Sequence, residues 1–116
     1  MDIDLVKEIL VNMEELQKLG INNEQLYEII QNIKINPTPL SSNIVGIGYD
    51  IKYNILKVIF KPNTTYIYYN VEPTVYASII KADSVGRALN ESVVRQKDRY
   101  KYQRITNILN NNIDKN

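Results

Sequence analysis

The chain has 116 residues, 44% of them hydrophobic, which suits one domain with a modest core, and a formal net charge of +1 at pH 7. It has no cysteine and no histidine, which rules out disulfides, zinc sites of the usual kind, Cys-His and Ser-His-Asp nucleophiles, and imidazole acid-base chemistry. No apolar run approaches the roughly 20 residues that span a bilayer, and Asp2 and Asp4 stand where a signal peptide is basic, so the expectation is a cytoplasmic protein with no membrane partner.

The first element is a helix. Leu5, Ile9, Met13 and Leu16 recur at three- and four-residue spacing, the acidic start suits a helix N-terminus, and Gly20 ends it. Asn22 then caps a second helix whose stripe is Leu26, Ile29, Ile30 and Ile33, closed by "NPTP" at 36 to 39. The two make a helical hairpin over 1–36, with stripes that serve the core or a subunit contact.

After "PLSS" the period changes to two. Val45, Ile47 and Tyr49 share a face, then Leu56, Val58 and Phe60, then Tyr66 and Tyr68, with turn-rich "DIKYN" and "KPNTT" between the runs. Short polar connections predict an antiparallel meander. "GIG" at 46 to 48 lies within a strand pattern and reads as backbone accommodation. In "TYIYYNVEP" at 65 to 73, Tyr66 and Tyr68 are expected to pack the sheet against a helix starting at Pro73, with Tyr69 the exposed ring.

That helix carries Val75, Tyr76, Ile79 and Ile80 inward. Ser84 caps the next, "RALNESVVR", with Leu89 and Val93 on one side. "YKYQRI" at 100 to 105 alternates as a strand that projects Tyr100, Tyr102 and Arg104 together, and a polar, Asn-rich tail follows at 106–116. The fold class is therefore α+β, a single domain: an N-terminal helical hairpin, then a small antiparallel β-meander packed against one or two C-terminal helices.

Charge is segregated along this order. Residues 1 to 40 carry three Lys against seven acidic residues, and residues 41 to 116 carry eleven basic against six acidic. All four arginines, Arg87, Arg95, Arg99 and Arg104, fall within one stretch of 18 residues, which points either to an anionic, phosphate-bearing partner or to a solvated face balanced by Asp83, Glu91 and Asp98. The 13 acidic residues form no spaced pair that reads as an acid-base couple or a calcium loop, and the four glycines form no phosphate-cradling loop. The expectation is a protein that is not an enzyme and takes no cofactor or metal.

Tyr49-Asp50, Leu56-x-Val58-x-Phe60, Tyr66-x-Tyr68, Val71-x-Pro73, Tyr76, Ala82-x-Ser84-x-Gly86 and Asn90 stand in an order that resembles the KTSC domain, a small α+β module for which RNA binding is suggested. The resemblance spans about residues 43 to 104, as a core over 43–105. With an acidic hairpin ahead and an arginine-bearing extension behind, the whole is similar to the Thoeris anti-defence 1 family. Those phage and prophage proteins form homo-oligomers and sequester cyclic ADP-ribose signals, some also holding cyclic oligonucleotides, without altering the ligand.

That resemblance implies a ligand site. Ser84, Gly86 and Asn90 form its polar turn, Arg104 is the phosphate-binding cation with Arg87 and Arg95 as lesser candidates, and Tyr76 and Tyr102 wall an adenine ring. Each has a structural alternative: Ser84 a helix cap, Asn90 a satisfied helix residue, Tyr76 a core ring. The implied partner is a cyclic nucleotide, glycocyclic ADP-ribose above others, held in the bacterial cytoplasm by a homo-oligomer. The alternative is an RNA-binding KTSC module, which calls for a broader basic surface than this chain's charge supplies.

Overall fold

The computed structural model describes residues 3–105, with side chains from residue 10 onward; the expected tail, and the Leu5 and Ile9 part of the first stripe, lie outside the described residues and side chains. The elements are α1 (Ile3–Leu19), α2 (Asn23–Asn32), β1 (Asn36–Pro37), β2 (Ile44–Asp50), β3 (Ile55–Phe60), β4 (Thr64–Tyr68), α3 (Pro73–Lys81), α4 (Val85–Leu89), a π-helical turn (Asn90–Val94) and β5 (Tyr102–Ile105). The strands form one antiparallel sheet in sequence order, β1-β2-β3-β4-β5. The α+β class with a helical hairpin before a meander is what the periodicity predicts.

Alternation sorts the strand residues to two faces, and each face has its own helices. On one, Ile44, Ile47, Leu56, Val58 and Tyr68 pack with Ile79, Leu89, Val93 and Tyr100. On the other, Ile55, Ile67 and Tyr69 pack with Leu16, Leu26, Ile30 and Ile33 of the hairpin segment. The hairpin is thus the lid of a second core, joined by the capping box in which Asn22 and Gln25 exchange backbone and side-chain hydrogen bonds at 2.8 and 2.9 Å. Lys57, on the hairpin face, donates from Nζ to the Ile30 carbonyl at 2.9 Å, and desolvation holds its pKa below the ordinary lysine value.

Gly46 and Gly48 let the segment after α2 cross β2 closely. A Cβ at Gly48 would lie 2.4 Å from the Lys34 carbonyl oxygen, and one at Gly46 2.3 Å from Ile35 Cγ2. "NPTP" therefore does not close the second helix, which ends at Asn32 with Ile33 as its C-cap; its first two residues form the short edge strand β1.

Several local expectations are corrected. Tyr69 is not the exposed ring but is 2% exposed, because it faces the hairpin, whose docking the local pattern does not reveal. A register shift between Ile44 and Gly46 bulges Val45 outward, so Ile44 rather than Val45 joins Ile47 and Tyr49. Met13 and Ile80 are exposed instead of inward. The last strand begins at Tyr102, not Tyr100. Tyr100 is buried, with its hydroxyl 3.1 Å from Glu72 Oε1, and does not project with Tyr102 and Arg104.

Candidate functional site

Ser84 caps the helix after α3, accepting the Arg87 amide at 3.2 Å. This turn faces the loop between β1 and β2. That loop is fixed by its own bonds: Ser41 Oγ accepts the Ile44 amide at 3.1 Å, Thr38 Oγ1 donates to the Ile44 carbonyl at 2.9 Å, and Lys61 Nζ donates to the Ser41 carbonyl at 2.8 Å. Gly86 permits the approach, since a Cβ there would sit 3.3 Å from both Ser41 Oγ and Asn43 Oδ1.

Between the two lies a groove of about 520 Å³, lined by Leu40, Ser41, Ser42, Asn43, Ser84, Gly86, Arg87 and Asn90. Arg87 is its one charged residue and is exposed. Hydroxyls, amides and a single guanidinium without an opposing carboxylate can bind ribose hydroxyls and a phosphate together. A second groove, about 450 Å³, adjoins it through Leu40, Ser41, Ser84 and Gly86 and continues along Pro37, Thr38 and Pro39 to Asp83.

Four of the eight sequence-predicted residues, Ser84, Gly86, Arg87 and Asn90, therefore line one groove, and the other four stand elsewhere. Tyr76 stacks on Tyr49 with ring centroids 4.9 Å apart at 12°, and its hydroxyl accepts from Asn36 Nδ2 at 3.1 Å. Tyr102 lines a separate aromatic cleft with Phe60, Thr64, Tyr66, Tyr68, Val94 and Lys97. Arg104 is exposed on β5, in register opposite Tyr66, and Arg95 is exposed just after the π turn. Arg99 is committed to Glu72 in an ion pair of 2.6 Å. Desolvation pushes the Glu72 carboxyl up, but the hydrogen bonds from Arg99 and Tyr100 outweigh it and hold its pKa below the ordinary value.

Sequence reasoning missed the groove's other wall, Ser41 to Asn43, which reads as a polar connection; only the Gly86 approach brings it to Ser84. It also missed the aromatic cleft. The alternation of Phe60, Tyr66 and Tyr68 carried the signal, yet placing Tyr102 beside them needs the β4 and β5 register. Among the described residues no three His, Cys, Asp or Glu side chains gather as metal ligands, and no helix is long and apolar enough to cross a membrane.

Residues 40–100 match the KTSC domain family model. An uncharacterized protein of Stutzerimonas stutzeri is 38% identical over 65 residues, covering 56% of this chain and 89% of the relative. A protein of Tsukamurella paurometabola is 42% identical over 50 residues, covering 43% and 75% respectively. The crystal structure of a KTSC domain protein from Yersinia pestis aligns with a TM-score of 0.56 at 28% identity, over 64% of this chain and 99% of that one. The matched segment holds the whole lining of the polar groove and all of the aromatic cleft but Tyr102, and this chain belongs to the KTSC domain family.

Proposed function

We propose that this protein is a non-catalytic nucleotide-binding protein that sequesters a cyclic ADP-ribose-type signal, glycocyclic ADP-ribose above others, and so blunts a bacterial anti-phage defence. The observation that carries the reading is the convergence of Ser84, Gly86, Arg87 and Asn90 with Ser41 and Asn43 on one polar groove holding a single guanidinium. A small ligand with two phosphates and several ribose hydroxyls matches that mixture of donors and acceptors. The likeness of the whole chain, hairpin and arginine-bearing extension included, to the Thoeris anti-defence 1 family supports the same choice. Arg104 does not line the groove of its own chain, so in this reading it reaches the ligand from a second subunit, and the working form is a homo-oligomer.

Calorimetric titration of the purified protein with glycocyclic ADP-ribose tests the proposal, with cyclic di- and trinucleotides and a short single-stranded RNA as comparisons. Saturable binding of the cyclic ADP-ribose, with unmodified ligand recovered on denaturation, supports it. Loss of binding in Asn90→Ala and Arg87→Ala, both folded, places the ligand in the groove; loss in Arg104→Ala supports the contribution across subunits. Binding of RNA alone, falling steeply with salt, replaces this reading with an RNA-binding KTSC module. A recovered ligand that has been cleaved overturns the non-catalytic part.

A further inference from the structure

The aromatic cleft is a second cavity, built differently from the polar groove. Its floor is a row on one sheet face: Tyr66 lies 6.4 Å from Tyr68 and 6.1 Å from Tyr102 by ring centroids, at 25° and 27°, and Phe60 meets Tyr66 edge-on at 5.7 Å. Four rings so arranged come from three neighbouring strands, with Tyr68 and Tyr102 directly opposite in register. Its wall is Val94 and Lys97, and its volume is about 430 Å³.

The wall is placed by an unusual piece of backbone. From Asn90 to Val94 the helix widens into a π turn, closed by the Arg95 amide on the Asn90 carbonyl at 2.9 Å. Such a turn takes up one residue more than an α turn, so the chain beyond it is rotated by about 100° relative to a continued α-helix. Val94 and Lys97 thereby stand over the tyrosine row.

Hydroxyl pairing also separates this row from four of the other tyrosines. The hydroxyls of Tyr49, Tyr69, Tyr76 and Tyr100 are tied to Val71, Asn12, Asn36 and Glu72. Those of Tyr66, Tyr68 and Tyr102 have no hydrogen-bond partner among the described residues. No acidic side chain lines the cleft, Lys97 is its one charge, and the exposed Arg104 stands on the Tyr102 strand two positions away. Flat π surfaces, spare hydroxyls and a cation at the mouth complement one kind of ligand.

We infer that this cleft is a binding site for a flat aromatic ring that carries an anionic group, with the ring against the Tyr66 and Tyr102 side and the anion at Lys97. The site is separate from the polar groove, and the inference does not depend on what that groove binds.

Titration of the isotope-labelled full chain with adenosine monophosphate, adenosine and ribose 5-phosphate, followed by amide NMR shifts, tests it. Adenosine monophosphate is expected to move the Val94, Lys97 and Tyr102 amides saturably. Lys97→Gln, in an exposed turn where folding is not at stake, should weaken it about tenfold and leave adenosine unchanged. Tyr102→Ala should weaken both. Three results overturn the inference: adenosine monophosphate shifts confined to residues 84 to 90 or absent at millimolar probe, ribose 5-phosphate acting as well as the nucleotide, or adenosine acting as well as the nucleotide.

Discussion

The Tyr69 hydroxyl donates to Asn12 Oδ1 across 2.5 Å, tying the end of β4 to a helix 57 residues earlier. Asn12 in turn donates from Nδ2 to Asn23 Oδ1 at 3.2 Å, at the start of α2. The Gln103 side-chain amide lies 3.0 Å from the same hydroxyl. A hydroxyl has one proton, so with that proton on Asn12 the Gln103 amide meets it through its nitrogen. One buried oxygen thus joins α1, α2 and β5. Tyr69→Phe leaves Asn12 and Gln103 without this partner in a dry site, and is expected to cost about 1–3 kcal/mol. Urea denaturation of Tyr69→Phe, Asn12→Ala and the double variant checks it; additive losses would mean that the two side chains are not coupled.

Alkali should weaken the fold from about pH 10 upward. Burial first, then the nearby Asp50 and Glu72 charges, pushes the Tyr49 hydroxyl up to about 12. Burial is also the leading cause of the raised values at Tyr68, Tyr69 and Tyr100. The folded state therefore keeps protons that the unfolded chain releases near its ordinary value of about 10. Stability is full below that pH and is lost as pH rises from it through the folded values. The expected result is a urea midpoint level between pH 7 and 9 that then falls. A midpoint still level at pH 11 would refute the assignment of these hydroxyls as protonated only in the fold.

The elements were legible where one local rule decides them: Gly20 and Asn22 end and start helices, Pro73 opens one, and Ser84 caps another, all as their residue types predict. What escaped depends on contacts far along the chain. Tyr69 reads as outward from alternation alone, and only the docked hairpin makes that face an interior. The bulge at Val45 shifts a face by one residue, and its local marker, Gly46, does not say whether a strand glycine signals a bulge or a close backbone approach. The candidate site divided similarly. Ser84, Gly86 and Asn90 lie on one short helical stretch and stand in the motif, whereas Tyr76 comes from α3 and Tyr102 and Arg104 from β5, and sequence order cannot bring them to the same groove.

Gly48→Ala should be among the most damaging single changes. The added methyl would meet the Lys34 carbonyl oxygen at 2.4 Å and Ile33 Cγ2 at 2.7 Å, and backbone cannot move aside as a flexible side chain can. Overpacking of this kind costs about 1–3 kcal/mol and sometimes more. The segment it displaces leads from α2 into β1, so the hairpin and the sheet edge should loosen together. Thermal melting with amide hydrogen exchange across residues 33 to 37 reads this; an unchanged melting temperature would show that the crossing is looser than these distances.

Removing residues 1 to 35 should destroy cooperative folding. Leu26 and Ile30 are 0% and 2% exposed, and both rest on the sheet face of Ile55, Ile67 and Tyr69. Full burial of one such aliphatic side chain is worth about 1.5–3 kcal/mol. Losing these two along with Leu16 and Ile33 takes away an amount comparable with the roughly 5–15 kcal/mol that holds a typical domain together. The bared sheet face would also present a contiguous apolar patch prone to association. The expected truncated product aggregates or binds a hydrophobic dye without a melting transition. A monodisperse fragment with a sharp transition would instead make the hairpin an accessory to a module that folds by itself, and Tyr69 would then have to be solvated at little cost.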